Sequence, residues 1–112
     1  MTRRPKDHFF STRIKSTIKH IPFGKVATYG QIASLVGNHR ASRQVAWVLH
    51  SSSHKDGLPW HRVINRRGEI ALEPGEGFEE QKRMLENEGI QFDSTGRINL
   101  GLYMWDPGNL IL

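Results

Sequence analysis

The chain has 112 residues, 37% of them hydrophobic, and 16 Lys and Arg against 11 Asp and Glu give a formal charge of +5. That length holds one small core, and the apolar stretches are short and broken by charge, which excludes a membrane-spanning helix. Cysteine is absent, so disulfides, thiolate metal sites and a thiol nucleophile are all excluded.

Excess positive charge in a small domain favours a polyanionic partner, nucleic acid first; a merely solvated basic surface is the alternative. The six histidines are read as unpaired, so neither a metal nor any other cofactor is expected. The start, MTRRPKDHFF, is positive but no apolar stretch follows it. The protein is expected in the cytoplasm, associated with DNA.

Phe10, Ile14, Ile18 and Ile21 recur at intervals of four, four and three. This spacing predicts a helix over 7–21 with one apolar face, stopped by Pro22-Phe23-Gly24-Lys25. Thr28-Tyr29-Gly30-Gln31 reads as a capping box, with Thr28 capping the first turn and Gln31 reaching back. The helix behind it carries Ile32, Ala33, Leu35 and Val36 and ends at Gly37-Asn38. A third helix is predicted from Ala41-Ser42 to about Ser51. Val45, Val48 and Leu49 form its inner face, and Arg40, Arg43, Gln44 and Trp47 point elsewhere. The charge pattern favours a helix-turn-helix over an ordinary helical hairpin.

Ser51 to Leu58 reads as a polar loop. Arg62-Val63-Ile64 and Glu69-Ile70-Ala71-Leu72 flank Asn65-Arg66-Arg67-Gly68, which predicts a short hairpin, a wing. The last helix is predicted over 78–87, with an inner line of Phe78, Gln81 and Leu85 that reaches Glu88 three residues on. A carboxylate at that inner edge needs a partner if it is buried. Gly89 caps this helix, and Ile90 to Phe92 is a candidate final strand. The apolar tail GLYMWDPGNLIL either packs back on the core or hangs free. The predicted class is α+β, mostly helical and winged helix-turn-helix-like. It forms a single domain over 1–112, with its core at about 7–92 and a C-terminal tail at 93–112.

Four stretches occur in order: Ile21-Pro22-Phe23-Gly24-Lys25-Val26, Thr28-Tyr29-Gly30-Gln31-Ile32-Ala33, Ala41-Ser42-Arg43-Gln44-Val45 and Pro59-Trp60-His61-Arg62-Val63-Ile64. Together they resemble the DNA-binding, C-terminal domain of O6-alkylguanine-DNA alkyltransferases, from about residue 10 to Gly89. In those enzymes the residue at the position of Trp60 is the cysteine that accepts the alkyl group. Tryptophan there, with the tail Tyr103-Met104-Trp105-Asp106-Pro107, resembles the alkyltransferase-like proteins. These bind the same lesions without removing the alkyl group and flag them for nucleotide excision repair. An indole offers one N–H donor and no nucleophile, so no catalytic residue is expected.

The resemblance implies double-stranded DNA carrying O6-alkylguanine as the partner, bound through the minor groove. It further implies nucleotide excision repair proteins as second partners; no membrane partner is expected, and the chain is expected to be a monomer. Tyr29, Pro59, Trp60 and Val63 would form the lesion pocket. Trp60 would be its wall, where the residue alone reads as a core tryptophan. Arg43 would be the finger that fills the gap left by a flipped nucleotide, or else a phosphate contact on a basic helix. Tyr29 would press on the phosphate beside the lesion, or else is a half-buried core tyrosine. Lys25, Thr28, Gln31, Asn38, Arg40 and Ser42 are candidate phosphate contacts. His61 and Glu88 match the pair that polarises the cysteine in the enzymes; with no thiol to activate, they are assigned a structural role, with Arg62 bracing the same loop.

Two departures stand out. Trp47 occupies a position where relatives often carry a small residue. Leu72-Glu73-Pro74-Gly75 has no arginine where some relatives place one against the alkylated base, and Arg66 or Arg67 are the candidate substitutes. The competing reading is a winged helix-turn-helix transcriptional regulator that reads sequence in the major groove; it leaves the Pro-Trp-His-Arg-Val frame unexplained.

Overall fold

Ala27 pairs with Val63 and Thr28 with Ile64 in a two-residue parallel ladder that divides two apolar clusters. The structure, a computed structural model, describes residues 5–109, with side chains described over 9–108. Helix α1 (Pro5–Lys19) leads to strand β1 (Ala27–Thr28), helix α2 (Tyr29–Leu35) and helix α3 (Ser42–Asp56). A 3-10 turn (Trp60–Arg62) leads into strand β2 (Val63–Ile64), and helices α4 (Phe78–Asn87) and α5 (Leu100–Tyr103) follow. Parallel strands need a long crossover; α2, α3 and the 3-10 turn supply it.

Side chains alternate across a strand, and here the alternation sorts them between the clusters. Ala27 and Val63 face the first, built from α1, α2 and α3 around Ile14, Ile18, Ile32 and Val45. Val26 and Ile64 face the second, with Leu85, Ile90 and Ile98. The four-four-three line of α1 is the buried one: Ile14 and Ile18 are wholly inside, and Ile21 stays buried just beyond the helix end. The tail from Leu100 to Trp105 packs back. Val26 N–H donates to Tyr103 O at 3.0 Å, Trp105 N–H donates to Val26 O at 2.7 Å, and Trp105 joins the first cluster.

Four local expectations are corrected. Helix α3 runs through the serine run to Asp56 and ends at Gly57, in the left-handed conformation at φ 63°. The stretch 51–58 is therefore mostly helix. Ser53 satisfies its hydroxyl on Leu49 O at 2.6 Å, within the helix. A Lys15–Asp56 ion pair at 2.9 Å ties the last turn to α1.

The wing is a closed loop with one strand, not a hairpin. Asn65 Oδ1 accepts from the N–H groups of Arg67 and Glu69, both at 2.9 Å, and Asn65 N–H donates to Glu69 O at 3.0 Å. Beyond that rung Gly68 O accepts from Ile98 N–H at 2.8 Å. The C-terminal segment thus takes the edge a second strand would have used.

Ile90 to Phe92 forms only the single bridge Phe92–Ile98. The capping box is half made. Thr28 Oγ1 accepts from Gln31 N–H at 3.0 Å, but the Gln31 amide turns to Trp105 O at 2.8 Å.

Candidate nucleic-acid interface

The left-handed Gly57 turns the chain out of α3, and Leu58 is buried against the first cluster. Trp60 N–H then donates to Leu58 O at 2.7 Å and Arg62 N–H to Pro59 O at 3.0 Å. This tight turn presents Trp60, partly buried, to a cleft of about 370 Å³ between α3 and the start of α4. Tyr29, Trp60 and Val63 line the cleft. Pro59, expected among them, does not; its place is the N-cap of the 3-10 turn. Burial pushes the Tyr29 phenol above its ordinary range, so it stands in the cleft as a neutral hydrogen-bond donor.

The rest of the wall comes from residues to which the sequence assigns no site role: Leu49, His50 and His54 on α3, and Leu72, Glu76 and Glu80 opposite. Of these, His54 lies on the part of α3 beyond Ser51, where the sequence predicts a loop. The histidines also need correction. His50 and His54 are four residues apart on α3, so they share a helix face, and both line the cleft. No group of three or more His, Asp or Glu among the described residues could hold a metal ion.

Behind the turn sits Glu88, the C-cap residue of α4. His61 Nε2 lies 2.7 Å from Glu88 Oε2, and Arg62 Nη2 donates to the same oxygen at 2.8 Å. Arg62 Nε and Gly24 N–H donate to Oε1 at 3.1 and 2.8 Å, and Arg62 Nη1 donates to Ile21 O at 2.9 Å. The Ile21–Lys25 segment, the Trp60 turn and α4 therefore meet on one carboxylate. Burial alone would raise the Glu88 pKa, but hydrogen bonds from Arg62, Gly24 and His61, with the guanidinium charge, outweigh it and hold it down at about 2.

Since Glu88 is a carboxylate, the His61 Nε2–H donates to it. Nδ1, on the far side of the ring, is buried and without a partner among the described residues. The neighbour of this pair is the Trp60 indole, edge-on to the imidazole with ring centroids 6.2 Å apart.

Gln81, unassigned in the sequence, completes the support. It is 2% exposed, and its amide donates to His61 O and Val63 O, both at 3.0 Å. Its place on the inner line of α4, beside Leu85, was the signal available.

On the basic helix, Asn38, Arg40, Arg43, Gln44 and Trp47 line an open groove of about 720 Å³. Arg40 and Arg43 are exposed, and Trp47 is 66% exposed. Ser42 sits at the first turn of α3, across from Gly30. Lys25 reaches Leu102 O at 3.2 Å with its ammonium. Thr28 and Gln31, expected at phosphates, are engaged within the fold: Thr28 is buried and caps α2, and Gln31 holds the tail. Arg66 and Arg67 are exposed in the Asn65–Gly68 loop, and neither lines the cleft.

A basic helix-turn-helix beside a cleft whose reactive position carries an indole defines a class: DNA-binding domains built on the alkyltransferase plan without its thiol. The family model described as 6-O-methylguanine DNA methyltransferase, DNA binding domain, matches residues 9–90. The chain is 41% identical over 101 residues to the DNA base-flipping protein of Escherichia coli, covering 90% of this chain and 78% of that one. It is 40% identical over 103 residues to Alkyltransferase-like protein 1 of Schizosaccharomyces pombe, covering 88% and 95%. The crystal structure of S. pombe Atl1 with damaged DNA containing O6-carboxymethylguanine superposes with a TM-score of 0.79 at 39% identity, over 95% of this chain and all of that one.

The chain belongs to the family of the 6-O-methylguanine DNA methyltransferase DNA-binding domain, on its alkyltransferase-like branch. With no cysteine anywhere, it cannot be a cysteine alkyl acceptor.

Proposed function

We propose that the protein binds duplex DNA containing O6-alkylguanine through the minor groove and rotates the damaged nucleotide into the Trp60 cleft. The alkyl group stays on the base, and the complex marks the site for nucleotide excision repair. The observation that carries this reading is Trp60 itself: the tight turn delivers an indole, in a chain without thiols, to the wall of a cleft beside the basic helix.

Each part has a physical role. Extruding a base costs a few kcal/mol, and less when its pairing is already damaged. An O6-alkyl group removes the guanine N1 proton, so lesions leave the helix more readily than intact guanine. Arg43, exposed on the second residue of α3, fills the vacated gap and stacks on the neighbouring bases. Arg40, Asn38 and Ser42 contact phosphates near the N-terminal turn of α3, which has no side-chain cap of its own. The chain acts as one DNA-binding domain, as a monomer, inside the cell.

Two measurements test this together. A duplex with one O6-methylguanine is titrated against its unmodified twin, and protein mass is recorded after incubation with the lesion. Tighter binding to the lesion with no gain in mass supports the proposal. Equal binding, or the added mass of a methyl group, overturns it.

A further inference from the structure

The charge of the cleft differs from that of the molecule. The chain carries +5 overall, yet no lysine or arginine lines the cleft, while two carboxylates, Glu76 and Glu80, do. Both are exposed. Glu69 and Glu88 are held by arginines; Glu76 and Glu80 make no ion pair or side-chain hydrogen bond among the described residues.

Their placement is fixed by the backbone. Gly77, at φ 114°, lets Leu72 pack so close that an added Cβ would lie 2.7 Å from Leu72 Cδ1. The loop over 72–77 therefore folds back on itself, with Leu72 and Glu76 both at the cleft. Gly77 is also the N-cap of α4, and Glu80 follows in the first turn, next to the buried Gln81 that anchors the helix to the Trp60 turn.

The remaining groups that could offset this charge are His50 and His54 from α3; Tyr29 contributes a neutral phenol.

From this lining we infer that the cleft selects O6 adducts by charge, taking neutral alkyl groups and disfavouring anionic ones through Glu76 and Glu80. The inference rests on the base-flipping proposal, because only an everted guanine brings its O6 substituent to this wall. A carboxylate on the adduct, in a cleft lined by two unpaired carboxylates, meets a repulsion worth about three- to tenfold in affinity at moderate ionic strength. Because both glutamates are exposed, salt weakens the effect.

The test uses four duplexes: unmodified, O6-methylguanine, O6-carboxymethylguanine and its neutral isostere O6-carbamoylmethylguanine. Dissociation constants are measured for the full chain and for E76Q/E80Q and E76D/E80D. The pH is 8, above the ordinary range of imidazole titration, and low and high salt are compared.

The neutral isostere is expected to bind three- to tenfold more tightly than the carboxylate, with a ratio that shrinks as salt rises. E76Q/E80Q should lower that ratio at least threefold, and E76D/E80D, which keeps the charge, should retain it. A ratio near one in the unaltered protein overturns the inference. So does a ratio that E76Q/E80Q leaves unchanged, since the discrimination would then come from the DNA phosphates. If no lesion duplex binds more tightly than the unmodified one, the flipping proposal itself fails, which is a separate and recognisable result.

Discussion

Glu88 accepts hydrogen bonds from His61 and Arg62 on the same oxygen, at 2.7 and 2.8 Å, from a position 26 residues beyond Arg62. That one contact joins the end of α4 to the turn that presents Trp60. With Gly24 N–H on the other oxygen, it holds the turn in place.

The depressed Glu88 pKa makes this a statement about stability. A carboxyl held at about 2 in the folded chain, against an ordinary 4.5, stabilises the fold fully above pH 4.5. The contribution is lost as pH falls toward 2. At pH 7 Glu88→Gln should cost about 3 kcal/mol. The gap between variant and parent should narrow by about 2 kcal/mol at pH 3. Urea denaturation at the two pH values measures both; a gap that does not change with pH contradicts the ion-pair account.

Gln81 is the second tie. Gln81→Leu removes both donors and leaves the carbonyl oxygens of His61 and Val63 buried and unpaired. The expected loss is about 2–4 kcal/mol, seen as a fall in melting temperature of roughly 10 °C or more. A fall of only a degree or two would mean that α4 is held by other contacts.

Gly68 is required by a close approach. At φ 80°, an added Cβ would stand 2.5 Å from the backbone oxygen of Ile98. Gly68→Ala must push the two segments apart and break the Ile98 N–H to Gly68 O bond of 2.8 Å. Destabilisation of about 2–3 kcal/mol is expected by denaturant titration, against under about 0.5 kcal/mol for an ordinary surface change.

The local patterns reach a good part of this architecture. The isoleucine spacing of α1, the Gly37 stop and the Phe78–Gln81–Leu85 line of α4 each appear as periodicity or a cap, because each depends on neighbours within one or two turns. What stayed hidden depends on distant partners. Gln31 forsakes the capping box for Trp105, 74 residues away. The edge beyond Gly68 goes to Ile98 instead of a hairpin partner. The serine run reads as loop in sequence, yet Ser51–Ser53 are helical, with Ser51 and Ser53 bonded back to Val48 O and Leu49 O, and the Lys15–Asp56 pair closes the same helix end. The same stretch carries Ser53 and His54 of the cleft wall.

Arg43 distinguishes a finger from a phosphate contact. Arg43→Ala is expected to reduce the preference for O6-methylguanine over guanine by roughly tenfold, about 1.4 kcal/mol, with a smaller loss of affinity for plain duplex. Equilibrium titrations at two salt concentrations separate these. If only the salt-dependent background falls, by about one phosphate contact, Arg43 lies on the backbone.

The most direct measurement is a structure of the protein bound to a duplex with one O6-methylguanine. The damaged base should stand outside the helix with its methyl group in van der Waals contact with Trp60, within about 4 Å, and Arg43 in the gap it left. A methylated guanine still stacked in the duplex, with the Trp60 cleft empty, would contradict the account.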